Sequence, residues 1–443
     1  MNTLARLRAG QLAGTQRLQL ACGLQEFPRE IFELADSLEI LDLSSNSLTT
    51  LPDDLPRLKK LRILFCSDNA FTELPAVLGQ CPQLVMIGFK ANRIERIAPG
   101  ALPPALRWLI LTDNRLAELL PEIGHCTQLQ KLMLAGNQLR ALPPTLAQCH
   151  GLELLRLSAN RLTELPDWLL QLPRLAWLAY AGNPLCAPLE TSSPTTQAMP
   201  PVPWHALTLA HTLGEGASGV IHQALHQSSN GTNAVAVKIF KGAVTSDGLP
   251  QCEMAACLHA GQHPHLIPVR GQVTEHPHGK SALVMDLIDP AFINLAGPPS
   301  LDSCTRDIYP AHTRFEMRTA LLLALGIARA ARHLHAQGLL HGDLYGHNIL
   351  HNGQGQVLLG DFGAASFLPQ HTAPQAQALQ QLEVRAFGCL LEELLAYSPC
   401  PGPNAPATIT HETLTRLKSA CLNETPQARP LFSTIEQALA DLL

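Results

Sequence analysis

Six clusters fall in one order in the second half of the sequence. They are Gly214-Glu215-Gly216-Ala217-Ser218-Gly219, Lys238, Glu253, His341-Gly342-Asp343, Asn348 and Asp361-Phe362-Gly363. A glycine-rich turn lets backbone N–H groups close over phosphates, a lysine gives those phosphates a cation, and a glutamate can hold the lysine in place. One aspartate can take or orient a hydroxyl proton. An amide and a second aspartate offer oxygen ligands to a hard cation. The inventory suits movement of a phosphoryl group from a nucleoside triphosphate to a hydroxyl.

The surrounding pattern predicts the elements that must position these groups. A G-x-G-x-x-G also occurs in dinucleotide folds, but there it opens a helix. Here Leu207-Thr-Leu209 leads into the glycines, and Val220-Ile221, a turn at Ser228-Ser-Asn-Gly231 and the alternating Ala234-Val-Ala-Val-Lys238-Ile-Phe240 follow. That order reads strand, glycine turn, strand, hairpin, strand. No G-x-x-x-x-G-K-[ST] occurs, which excludes a Walker-type phosphate loop. Glu253 is the only glutamate between Lys238 and Arg270, and it lies on the helical run Gln251 to Leu258. A second helical stretch, Met317 to Gln337, precedes His341, and Asp343 stands five positions before Asn348 and eighteen before Asp361.

With these motifs, residues 207–443 resemble the eukaryotic-type protein kinases. The resemblance implies an α+β two-lobed protein-kinase-like domain, with an N-lobe over about 207–288 and a C-lobe over about 289–443. ATP and Mg²⁺ are the implied cofactors. Gly214, Gly216 and Gly219 would cover the phosphates, Lys238 would reach them, and Glu253 would be its partner on the family's αC helix. Asp343 would act on the acceptor hydroxyl, and Asn348 and Asp361 would hold the metal. Val220, Ala236 and Leu350 would sandwich the adenine, Met285 would stand beside it as gatekeeper, and the backbone of Asp286 through Ile288 would hydrogen-bond to it.

Several positions depart from the family pattern. Gly342 stands where kinases switched by activation-loop phosphorylation carry arginine, so activity independent of such a switch is expected. Tyr345 replaces a lysine that neutralises the moving group, and His347 is a candidate to compensate. No A-P-E motif follows Gly363, and Gln375 to Gln381 reads as helix. Glu383 replaces the aspartate that starts αF, and Arg429 fits a C-lobe arginine whose partner glutamate is missing.

The first half is a repeat array. Asn46, Asn69, Asn92, Asn114, Asn137, Asn160 and Asn183 recur every 22 or 23 residues, each closing an L-x-x-L-x-L-x-x-N-x-L frame. Leu129-x-x-Leu132-x-Leu134-x-x-Asn137-x-Leu139 is among the cleanest copies. This resembles the leucine-rich repeats, an α/β solenoid expected over residues 15–187. Frame leucines should form a core shared between neighbours, with the asparagines satisfying backbone groups in a ladder. Strand positions between the leucines face the other way. Phe65, Trp108, Ile110, Met133 and Trp177 fall there, and an exposed apolar face of that kind predicts a protein partner. Cys81, Cys126 and Cys149 recur at one repeat position and read as buried apolar groups, not bridge partners. A Pro/Ser/Thr-rich connector is expected over 188–206.

Net charge of -5 and a pI near 6.4 give no basic field for nucleic acid. No apolar run is long enough to span a bilayer, and no signal peptide is evident, so a cytoplasmic location is expected. The leading reading is an ATP- and Mg²⁺-dependent protein kinase, Ser/Thr-directed, whose repeats recruit a partner or protein substrate. The alternatives are a pseudokinase-like scaffold with little phosphotransfer and a phosphotransferase acting on a small molecule.

Overall fold

The computed structural model describes the whole chain except residues 1–2, 188–200, 217, 230, 242–243, 370–372 and 401–406. The chain divides into two compact units, one of residues 1–174 with 183–185 and one of residues 175–182 with 186–443. Segment 175–182, expected inside the solenoid, therefore clusters with the second unit. The connector expected over 188–206 lies outside the described residues as far as residue 200. Its last part is not a connector, because Val202–Pro203 forms a strand parallel to Val269–Thr274.

In the first unit, short strands from Arg17–Gln19 to Leu154–Arg156 stack parallel and in register. Their central residues (Leu41, Leu64, Ile87, Leu109, Leu132 and Leu155) are fully buried, as the shared core requires. Short 3₁₀ turns such as Ala76–Gln80, Pro121–His125 and Pro144–Gln148 return the chain. Cys81, Cys126 and Cys149 close these turns through their backbone N–H groups and are buried thiols. Burial pushes their thiol pKa values up, to about 11, about 11 and about 12. The asparagine ladder forms as expected. Asn137 donates to the carbonyls of Leu111 and Leu134 at 2.9 and 3.0 Å, and its Oδ1 accepts the Leu116 N–H at 3.0 Å.

The partner face is smaller than the alternation predicts. Phe65, Trp108 and Ile110 are partly exposed, but Met133 and Trp177 are buried. Alternation fixes which way a side chain points and says nothing about what covers it. The Lys131 ammonium lies 4.2 Å from the centre of the Trp108 ring, so even that indole is partly capped by charge.

The second unit holds a six-stranded sheet. Its order is Val202–Pro203, Val269–Thr274, Ala282–Asp286, Gly231–Phe240, Gly219–Ser228, Leu207–Glu215. Period-two alternation in the Lys238 strand sends Val235 and Val237 into a core with Val202, Ala224, Val273, Ala282 and Val284. The helix Pro250–Ala260 carries Glu253, and the helix Met317–Ala336 is buried along most of its length. A side chain at Gly326 would collide with Val357, so glycine lets this helix approach the strand that leads to Asp361. Residues 373–396 form one unbroken helix, not a short helix followed by a new one at Glu383. Nothing between Gln375 and Phe387 is proline or glycine, so nothing interrupts it. Among the described residues, no helix is long and apolar enough to cross a membrane.

Candidate functional site

Lys238 and Glu253 meet as a buried ion pair between the central strand and the helix Pro250–Ala260. Burial alone would lower the Lys238 pKa. The charges of Glu253 and Asp361 more than offset that and hold it above the ordinary lysine value. Asp361 belongs to the other lobe, so its charge acts across the cleft. Gly363 sits between the carboxylates: a methyl there would lie 3.3 Å from an Asp361 oxygen and 3.8 Å from a Glu253 oxygen. Three of the charged groups expected to share one site thus do so.

The glycine turn runs from the strand Leu207–Glu215 into Gly219–Ser228 and is closed by the Gly216 N–H donating to the Gly219 carbonyl. Gly219 is required by packing, since a Cβ there would sit 2.6 Å from the Ile239 carbonyl oxygen. Nothing lies within 4 Å of a Cβ built at Gly214 or Gly216, so no packing contact within the fold calls for glycine at these two positions. Lys241 pairs with Glu215, its N–H donates to the Ser218 carbonyl, and the Ser218 side chain hydrogen-bonds to Glu253. The turn is thereby tied to the ion pair. Spacing gave no sign of Lys241.

Ala236 and Met285 are cross-strand neighbours on the Lys238 face of the sheet. Val220 does not join them: it pairs with Ile239 and shares the opposite face with the core of Val235 and Val237, and the residue of its strand that stands opposite Lys238 is Ile221. Leu350 is half-buried on the strand Ile349–His351. A second detail of the expected adenine contact changes. The Asp286 N–H donates to the Pro268 carbonyl at 2.9 Å, and its carboxylate pairs with Arg270. That N–H is therefore committed within the protein, and a donor for the base would come from further along, at Ile288.

His341 is fully buried against the Gly360 carbonyl at 2.9 Å and packs 5.2 Å from the Phe362 ring. The Asn348 amide nitrogen donates to the Asp343 backbone carbonyl at 3.0 Å and to its Oδ2 at 2.8 Å. The Gly360 N–H donates to the Asn348 carbonyl at 3.0 Å. The catalytic-loop aspartate, the amide and the strand before Asp361 form one hydrogen-bonded unit. Asn348 commits its nitrogen to Asp343, which leaves its amide oxygen as the atom it could offer a cation, and Asp361 is exposed. An amide oxygen and a carboxylate are donors of the kind a hard divalent cation takes.

The departures acquire partners. Glu383 is buried; its carboxylate accepts the Gly342 N–H at 2.6 Å and hydrogen-bonds with His335 Nε2 at 2.7 Å. Burial would raise its pKa, but His335, His341 and the Gly342 N–H together hold it below the usual carboxylate range. Arg429 is buried with its Nε donating to the Asn423 carbonyl and its Nη1 to the Gln381 carbonyl, while the Gln381 amide donates back to the Arg429 carbonyl. Gln381 answers the arginine where the missing glutamate was expected to. His347 is fixed by Asp307, whose carboxylate takes its N–H at 3.0 Å and contacts Nδ1 at 2.7 Å. Asp307 lies in an aperiodic stretch, and no pattern singled it out. Tyr345 does not stand open to a reacting group: its ring is buried in a parallel stack with Trp177.

Comparison with known proteins agrees with this arrangement. Residues 207–388 match the family described as protein tyrosine and serine/threonine kinase. The chain contains a protein-kinase domain. Residues 37–58 and 127–185 match leucine-rich-repeat families, so the kinase domain follows a repeat region. A dual serine/threonine and tyrosine protein kinase of Danio rerio is 25% identical over 274 residues, covering 53% of this chain and 29% of the relative. The serine/threonine-protein kinase PkaA of Streptomyces coelicolor is 28% identical over 264 residues, covering 52% and 46%. The serine/threonine-protein kinase PITSLRE of Drosophila melanogaster is 29% identical over 153 residues, covering 34% and 15%. The chain thus spans less than half the length of each of these relatives.

Proposed function

We propose that the protein transfers the γ-phosphoryl group of ATP to a serine or threonine hydroxyl of a protein, and that its repeats recruit that protein or a partner. The observation that carries this reading is the convergence of the Lys238–Glu253 pair, the Asp361 charge and the Asp343–Asn348 hydrogen bond on one cleft. A structural core has no need of three carboxylates, an ammonium and an amide held together yet partly open to solvent.

In this reading the turn Gly214–Gly219 closes over the phosphates and Lys238 holds them, oriented by Glu253. Ala236, Met285 and Leu350 enclose the base, with Ile221 in the place that Val220 was expected to take. Asp343 lies beside the acceptor hydroxyl and accepts its proton as the oxygen attacks the γ-phosphorus. Asn348 and Asp361 would hold Mg²⁺, which when bound neutralises the β- and γ-phosphate oxygens. The partly exposed Phe65, Trp108 and Ile110 offer the repeat unit's apolar contact for a partner.

Transfer of radiolabelled γ-phosphate tests the reading. Wild type should label a protein acceptor, Asp343→Ala should lose roughly 10²–10⁴-fold in rate with ATP still bound, and Lys238→Met should be similarly impaired. Equal label in all three would end it in favour of the scaffold. ATP hydrolysis without protein labelling would instead favour a small-molecule acceptor.

A further inference from the structure

Segment 175–182 is part of the compact unit that holds the catalytic loop, and its contacts there are specific. The Trp177 indole lies parallel to the Tyr345 ring, with centroids 4.2 Å apart and planes inclined by 6°. Its Nε1–H donates to the Leu344 carbonyl at 3.1 Å. Leu344 and Tyr345 are the two residues that follow Asp343. Tyr180 reaches the segment after Gly363: its N–H donates to Ser366 Oγ at 3.0 Å and its hydroxyl to the Phe367 carbonyl at 2.9 Å. Tyr180 occupies the frame position where the cleanest repeats carry Leu134 and Leu157. A leucine could fill that volume but could not make the hydroxyl bond. Between these anchors, a Cβ at Gly342 would meet the Leu178 carbonyl oxygen at 2.8 Å and overlap the Ala364 carbonyl.

The place where a switched kinase carries its phosphate-binding arginine is therefore filled by the backbone of Leu178. An ordered activation segment elsewhere depends on such an arginine–phosphate contact. We propose that residues 177–180 are a permanent clamp in its place. Trp177 and Tyr180 are positioning residues: Trp177 holds the loop that carries Asp343, and Tyr180 holds the segment that follows Asp361-Phe362-Gly363. The proposal rests on the phosphotransfer reading, and it makes turnover depend on this segment instead of on a loop phosphate.

The test uses the full chain, with Trp177→Ala, Trp177→Phe and Tyr180→Phe. Trp177→Ala should lower kcat about 10- to 100-fold, the scale of a misplaced reacting group, with ATP affinity held within about twofold. Trp177→Phe keeps a ring over Tyr345 and should recover much of that loss. Hydrogen exchange of residues 341–350 and 362–368 should quicken in Trp177→Ala. Wild-type kcat in a folded Trp177→Ala, or loss of ATP affinity in step with kcat, overturns the clamp. Should Trp177→Ala not fold, Tyr180→Phe decides. It removes one hydroxyl, should lower kcat several-fold at unchanged ATP affinity, and overturns the proposal if kcat stays at the wild-type value. Should wild type transfer no phosphate, the phosphotransfer reading fails, and exchange still decides whether the clamp exists, unaltered exchange in the variants sinking it.

Discussion

Glu383 shows how one side chain can hold the catalytic loop in place and leave a signature in pH. It faces His335 from the helix Met317–Ala336, His341 and the Gly342 N–H from the loop, and Tyr180 from segment 175–182. Its folded pKa lies below the unfolded value, so the stability it contributes is complete above the ordinary glutamate pKa. That stability drains as pH falls through the folded value. Glu383→Gln should therefore destabilise the second unit by about 1.5–3 kcal/mol near neutrality, the range for a hydrogen bond to a charged group. The gap to wild type should narrow as pH falls below the ordinary glutamate value and close below the lower, folded one. Urea unfolding at several pH values reads it, and a gap that widens in acid would contradict the assignment. At this scale the sequence was informative wherever spacing was rigid. Asp343, Asn348 and Asp361 sit at fixed distances along the chain, and Glu253 had no competitor between Lys238 and Arg270. Asp307 and Lys241 were not legible, because their partners are distant in sequence and no local pattern marks them.

Gly342 is legible only halfway, and the missing half belongs to the elements around it. The sequence says that no guanidinium stands before Asp343. It cannot say that the Leu178 and Ala364 carbonyls occupy the space, because that depends on two segments meeting. The residue also has φ of 72°, a left-handed conformation that costs other residues about 1–2 kcal/mol. Gly342→Ala should combine that strain with the steric overlap, lowering the melting temperature of the second unit and reducing kcat at least about tenfold. An active, equally stable Gly342→Ala would show that the loop has room the structure does not give it. By the same reasoning, phosphatase treatment of wild type should leave its turnover unchanged, and a large loss would reveal a phosphate contact. The repeats hold a parallel case. Ser45, Asp68, Ala91, Asp113 and Ala159 all adopt positive φ immediately before a ladder asparagine, where two other copies place Gly136 and Gly182. Only those two glycines hint at the turn, since the asparagine bonds that compensate the strain come from neighbouring repeats. The unbroken helix 373–396 was half legible for the opposite reason: its lack of breakers is local, whereas the family pattern suggested a new start at Glu383.

At the scale of the whole molecule, the two units store stability differently, and one asparagine can separate them. The repeat unit has no core of its own within any repeat, so losing a shared hydrogen-bond set weakens every neighbour through the stack. Asn137→Ala would strand the buried Leu116 N–H, while the Leu111 and Leu134 carbonyls would each lose one of two donors and keep the other, from Asn114 and Asn160. At about 1–3 kcal/mol for the unsatisfied N–H, the loss is a sizeable fraction of the stability of a small domain. The expected result is a lower urea midpoint for the repeat unit, followed by circular dichroism. Nucleotide affinity should stay near wild type, because the Lys238–Glu253 pair and its sheet have a separate core. Asn137→Asp makes the test sharper. It keeps an acceptor for the Leu116 N–H but sets a negative charge against two carbonyl oxygens, so at neutral pH it should be at least as damaging as alanine. Below about pH 4 the protonated acid regains a donor, and part of the lost stability should return. A midpoint for Asn137→Asp that stays at the wild-type value at neutral pH would mean that the ladder is not what holds the repeats together.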